Sequence, residues 1–273
     1  MEGFYLLADD HEWPAAEVTI KSLRCFHPEA RLILIPRSDQ VERVAGLAEQ
    51  VFLPEDLQLC DQLGERLAGQ SHSGYRKLLA WKGPFERFVC LEAPCLVTAS
   101  LEFLFQAVHS WGFVLGSSEE ASFRKWVWKP SIYLRTPLTN EQLAFAAPTC
   151  LLASRRDSLS WEQFPHRIEE VRAWSQHMNL AQGEDAFLNY LMVTAQAPRT
   201  SLLEWIRQGK DRRCVLWAGQ GGGSVRAGTV SFLDGREVVL VHWAGCWKSH
   251  WWRPRPYQKL WDYYQGLEAI SRS

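Results

Sequence analysis

Residues 75–105 read YRKLLAWKGPFERFVCLEAPCLVTASLEFLF. From Tyr75 to Lys82 the apolar residues fall at helical spacing, and Gly83-Pro84 stops the run. Phe88 to Leu91 is a short apolar run with the length and composition of a buried parallel strand. Glu92-Ala93-Pro94 follows at its carboxyl end, the edge where open α/β sheets gather their ligands. The basic pair Arg76-Lys77 precedes the strand and Glu92 closes it, so opposite charges flank one expected site.

Working outward, residues 3–8 (GFYLLA) form a hydrophobic first strand that ends at Asp9-Asp10. Two Asp at a strand end also serve as a loop or helix cap. Pro14 suits the first turn of a helix; Ala16, Ile20 and Leu23 give its apolar stripe, and residues 31–36 are a second strand. This βαβ unit opens a Rossmann-like sheet. It has no Gly-x-Gly-x-x-Gly, which argues against a dinucleotide. Residues 41–47 read as a surface helix, 50–53 as a short strand and 58–69 as a polar helix. Beyond the central stretch, residues 111–115 and 148–154 are further strands. Gly183-Glu184-Asp185 opens a helix whose first-turn carboxylates suit its dipole, with Phe187, Leu188 and Leu191 as its buried stripe. The glycine-rich residues 219–224 lack the Lys-Ser/Thr of a phosphate loop and read as a loop or hairpin tip. Residues 231–240 read as two strands around Asp234-Gly235, a hairpin signal. They lead into His242-Trp243-Ala244-Gly245-Cys246-Trp247-Lys248.

Three of these segments carry a resemblance. Ala8-Asp9-Asp10, Glu184-Asp185 with Leu188-Asn189, and His242-x-x-Gly245-x-x-Lys248 resemble the nucleotide-sugar glycosyltransferases of GT-A fold, most closely the glycogenin-like retaining group. The resemblance implies an α/β fold with a mainly parallel central sheet flanked by helices. It covers most of the chain, from Tyr5 to about Trp252, within one expected domain of residues 1–273 that ends in an aromatic-rich C-terminal tail. It implies transfer of a sugar from a UDP-sugar to an acceptor hydroxyl, with retention. Asp9 and Asp10 would meet the nucleotide; Arg76, Lys77, His242, Gly245 and Lys248 would meet the diphosphate; and Glu184 and Asp185 would do the catalysis. The family's Asp-x-Asp stands here as Glu92-Ala93-Pro94, and the Asn-x-Gly of its donor-sugar segment is absent from residues 148–154. Of the family's metal ligands, Glu92 and His242 remain for a manganese or magnesium ion, while Lys77, Arg76 and Lys248 are the cations that could replace it. The alternative reading is a catalytically impaired nucleotide-sugar binding or scaffold protein on the same fold.

Composition narrows the rest. With 273 residues and 47% hydrophobic content the chain can bury a large core. A net charge of −1 argues against nucleic acid as a partner. No apolar run is long enough to span a bilayer, and the acidic start MEGFYLLADD is unlike a signal peptide, so the cytoplasm is expected. Seven cysteines without a Cys-x-x-Cys suggest neither a zinc knuckle nor a disulfide framework. Fourteen tryptophans fit either a Trp-rich core or a surface that stacks sugars or bases.

Overall fold

A computed structural model describes residues 1–116, 121–244, 246–247 and 255–268. Its strands in chain order are β1 (Glu2–Ala8), β2 (Leu32–Pro36), β3 (Arg87–Glu92), β4 (Cys95–Val97), β5 (Phe113–Leu115), β6 (Leu151–Arg155), β7 (Arg199–Ser201), β8 (Arg213–Trp217), β9 (Ser224–Arg226), β10 (Thr229–Ser231) and β11 (Glu237–His242). The central sheet has the order β2-β1-β3-β6-β5-β7. It is mainly parallel: only β6 runs against its neighbours, β3 and β5.

The apolar runs explain why these strands lie inside. In β1, Phe4, Leu6 and Ala8 belong to one core, and Tyr5 and Leu7 to the opposite one. The strand is thus covered on both faces, as parallel strands must be. One face lies under the helices Pro54–Ala68 and Asp185–Thr194, the other under Trp13–Phe26 and Glu102–Ser110.

A second sheet, β4-β11-β10-β9 with β8 on β11, stands beside the first. Asp234-Gly235 makes the expected turn, with Gly235 at φ +79°, where a side chain is disfavoured. Helix Trp13–Phe26 joins the two layers. Ala16 and Leu23 pack on the central sheet while Ala15 and Val18 pack on the second. Thr19 Oγ1 donates to Cys95 O at 2.7 Å, fixing that helix to β4. The aromatic tail closes this second core: Trp261 lies 5.4 Å from Trp243 and 4.4 Å from Trp247 between ring centroids, with the Arg255 guanidinium 3.7 Å above Trp247. Trp243 and Trp261 are core residues, and Trp247 packs against them half-buried.

Some local expectations give way to tertiary context. Residues 75–82 do not form an α-helix: Ser73–Trp81 is a 3-10 helix. Every residue from Gly74 to Trp81 is buried, so contacts on all sides, rather than one amphipathic face, set its winding. The surface helix at 41–47 reduces to the turn Val44–Gly46, and no strand forms at 50–53, where only Glu49 bridges to Ile33. Pro54 starts its helix four residues before the expected 58.

Candidate active site

Lys77 is the hub. Its side chain has no exposed surface, and its ammonium donates to Glu184 Oε1 at 2.7 Å, to Thr149 Oγ1 at 2.6 Å and to Glu92 Oε1. Burial alone would lower its pKa, but Glu184, Glu92 and Asp185 together raise it above the ordinary lysine value. The residue is therefore a fixed cation. Burial would likewise raise the Glu184 carboxyl, yet the Lys77 charge and hydrogen bond hold it below the usual carboxylate range.

Backbone geometry delivers Glu184. Gly183 sits at φ +137°, a conformation that favours glycine, immediately before the helix Asp185–Thr194. The Glu184 carboxylate then occupies the space a side chain at position 74 would need: a Cβ on Gly74 would lie 1.8 Å from Oε2. His72 faces the same carboxylate, but its Nδ1 accepts from Gly74 N at 3.2 Å, so the proton of the neutral ring is on Nε2.

Asp185, one residue further, meets the other side of Thr149. Its Oδ1 accepts from the Thr149 hydroxyl at 2.6 Å and from Thr149 N at 3.1 Å. Thr149 thereby links Lys77 to Asp185. Burial and then the Glu184 charge push the Asp185 carboxyl up, while Lys77 pulls against them. Asn189, a turn along the helix and fully buried, holds the segment before Thr149: Oδ1 accepts from Ala147 N at 2.9 Å and Nδ2 donates to Ala147 O at 2.8 Å.

Glu92 ends β3 opposite Leu7 of β1, so Asp9 and Glu92 leave the sheet at the same edge. The second oxygen of Glu92 accepts from Arg37 Nη2 at 2.7 Å. Arg37 follows β2, and its Nε approaches Glu12 Oε2 at 3.5 Å. Burial pushes the Glu12 carboxyl up to about 7, against the pull of Arg37. Sequence reading missed both residues. Neither belongs to a motif, and only the strand order β2-β1-β3 brings Arg37 across β1 to Glu92.

Other expected residues are engaged in local contacts. Asp9 caps the turn Asp10–Glu12 through His11 N at 3.0 Å. Asp10 Oδ1 accepts from Arg43 N and Val44 N at 2.9 and 3.0 Å, so it orders a loop. Arg76 points away from Lys77: it holds Asp61 at 2.6 and 2.8 Å, Pro36 O at 3.1 Å and Asp39 at 3.3 Å, beside a separate surface pocket. Gly245 and Lys248 lie outside the described residues.

Glu92, Thr149, Glu184 and Asp185 line a cleft of about 700 Å³ between the two sheets. The facing wall holds His242 from the end of β11, with Val215, Trp217 and Arg236. Burial depresses the His242 imidazole to about 4, so it is neutral at pH 7, and its Nδ1 is buried with no hydrogen-bond partner among the described residues. Trp126 and Trp217, 50% and 44% exposed, stand at the mouth as flat apolar faces. No helix among the described residues is long and apolar enough to cross a membrane.

A divalent cation needs several free oxygens. Both Glu92 oxygens are engaged by cationic side chains, and Pro94, two residues on, carries no ligand. Among the described residues no three His, Cys, Asp or Glu side chains converge on one point. Glu92 and His242 as they stand among the described residues do not fit an ion held by these two side chains. The physical reason is that Lys77 and Arg37 already compensate the charge.

This is the fold of the GT-A glycosyltransferases, with the mainly parallel sheet that the sequence implied. The galactosyltransferase LgtC, solved with donor and acceptor sugar analogues, superposes with a TM-score of 0.61 at 12% identity, over 99% of this chain and 98% of that one. The bifunctional glycosyltransferase WbbM gives 0.65 at 12% identity, over 97% of this chain and 49% of that one. Mouse xyloside xylosyltransferase 1 gives 0.53 at 11%, over 98% and 95%. No family model matches the sequence, and no curated protein does.

Proposed function

We propose that the protein transfers a sugar from a UDP-sugar to an acceptor hydroxyl, with retention of anomeric configuration. The observation that carries the reading is the Lys77 network. It fixes three carboxylates, Glu92, Glu184 and Asp185, at the carboxyl-end cleft of a GT-A fold. Sugar transfer breaks the bond between the anomeric carbon and the diphosphate, and the electron pair leaves on UDP. The carbon becomes cationic as the acceptor oxygen closes on it and the hydroxyl proton passes to the departing diphosphate, so a carboxylate beneath the carbon lowers the barrier. Asp185 lines the cleft and is the group for that task. Glu184 is spent on Lys77 and acts as a positioning residue. Lys248 and Gly245 would complete the diphosphate site, as their motif suggests, with the neutral His242 beside them.

The test is calorimetry and turnover on two variants. Lys248→Ala is expected to weaken UDP binding by about tenfold or more, the worth of a charge-assisted hydrogen bond. Asp185→Asn is expected to keep UDP affinity and lose transfer or donor hydrolysis. Equal loss of UDP affinity in both would contradict these roles. UDP binding with no turnover in the wild type would favour a binding protein over an enzyme.

A further inference from the structure

Strand order makes β1 the switch point of the central sheet: β2 lies on one side and β3 on the other. In open α/β sheets the ligand crevice lies beyond the carboxyl end of such a strand. Here one side chain crosses the carboxyl edge of β1. Arg37 starts at the end of β2, is anchored by its own N–H to Ala8 O of β1 at 3.1 Å, and reaches Glu92 at the end of β3. It therefore lies at the edge where the strand order puts a ligand.

Its contacts are unequal. Nη2 meets Glu92 at 2.7 Å, while Nε is buried with no hydrogen-bond partner among the described residues and faces Glu12 Oε2 only at 3.5 Å. Glu12 Oε2 and His242 Nδ1 are likewise buried without a hydrogen bond among the described residues. His242 and Arg37 both lie within electrostatic reach of Glu92. A buried donor left unsatisfied carries a real cost. The unmet Arg37 Nε, at the carboxyl edge that also carries Glu92, is therefore a donor that an anion with several acceptor oxygens can satisfy. Glu12, Glu184 and Asp9 also face Arg37, so this seat is not purely cationic, but a dication there would have to take Glu92 from Lys77 or Arg37, which hold both of its oxygens.

We propose that Arg37 holds the diphosphate of the ligand in place of a divalent metal, moving from its loose contact with Glu12 onto the phosphate oxygens while Lys77 keeps Glu92 neutralised. A guanidinium suits the task because its planar fork of donors matches phosphate oxygens two at a time. The inference rests on the donor reading above for the nucleoside, but not for the diphosphate itself.

The experiment is titration calorimetry of the full chain with UDP and with inorganic pyrophosphate, each in EDTA and in manganese chloride. Wild type, Arg37→Met and Glu12→Gln are compared. The expected result is metal-indifferent binding of both ligands and a loss of about tenfold or more in Arg37→Met. Glu12→Gln, which frees Arg37, gains about threefold. That gain cannot come from misfolding. Manganese tightening wild-type binding by about tenfold or more, or an Arg37→Met variant that folds and binds pyrophosphate as the wild type does, would overturn the role of Arg37. Arg37-dependent, metal-indifferent pyrophosphate binding without UDP binding upholds that role and removes the UDP donor. Binding of neither ligand removes both.

Discussion

A lysine without exposed surface, touching two carboxylates and a hydroxyl, is a residue whose removal leaves charge stranded. Lys77→Met conserves much of the volume and abandons Glu184 and Glu92 in the interior. Breaking a buried pair in this way costs about 3–5 kcal/mol. Urea unfolding should show that loss at an unchanged m-value; a loss below about 1 kcal/mol would mean that these carboxylates are solvated after all. Asp185 gives a second prediction. Burial and Glu184 raise its pKa, so it stays protonated at pH values where an ordinary aspartate is ionised. If the ionised form supports transfer, turnover falls as pH drops through that raised pKa and recovers as pH rises. The acid limb of the kcat profile should therefore lie above the usual carboxylate range; a limb at ordinary aspartate pH would remove Asp185 from the role. At this scale the sequence was partly legible. Lys77, Glu92, Glu184, Asp185 and His242 are brought together around the cleft as a set. Arg76 was grouped with Lys77 because the two are adjacent, but in a 3-10 helix successive side chains point about 120° apart, and Arg76 faces Asp61. Arg37 carried no signal of its own, since its meaning depends on which strand lies between it and Glu92.

The helix Asp185–Thr194 is the element on which the catalytic reading turns, because both carboxylates sit at its start while Asn189 ties its second turn to the incoming segment at Ala147. Asn189→Leu would leave the Ala147 N–H and C=O unsatisfied in the interior. The expected cost is about 2–3 kcal/mol, with Thr149 no longer held against Asp185. Chemical denaturation reads the first effect. The second predicts that kcat drops more than UDP affinity, and a variant with wild-type kcat would disconnect this hydrogen bond from the site. Elements built from short continuous apolar runs, such as β1, β2 and β3, were legible because runs of about five apolar residues bounded by polar turns suit strands covered on both faces. The same holds for the Asp234-Gly235 turn, whose backbone demands that chemistry. Residues 50–53 failed as a strand because Val51 and Leu53 are exposed, so no sheet face needed them. The 3-10 winding of Ser73–Trp81 could not be read locally, since the segment is buried on all sides by distant parts of the chain, among them Glu184, 110 positions beyond Gly74.

For the whole molecule, the cleft lies between two sheets that share a core, where Val97 of β4 and Leu240 of β11 pack with Leu6 of β1 and Val89 of β3. A ligand bound to the folded state alone raises its stability by mass action. At a hundred times its Kd, UDP should add about 2.7 kcal/mol, seen as a higher Tm that keeps rising with concentration. A Tm indifferent to UDP would argue that the cleft serves some other ligand. The span of the Lys77–Glu184 pair has a consequence in time as well as in space. The two residues are 107 positions apart, and Thr98 reaches 140 positions on to Val238. Contacts this distant need long loops to close before they return any free energy, so folding should be slow, on the order of milliseconds to seconds. While the chain is being made, Lys77 and Glu92 emerge long before Glu184 and must wait for it. The central ion-pair network is therefore expected to close late. Replacing Lys77 should speed unfolding while leaving the folding rate nearly unchanged, because a contact absent from the transition state acts on unfolding alone.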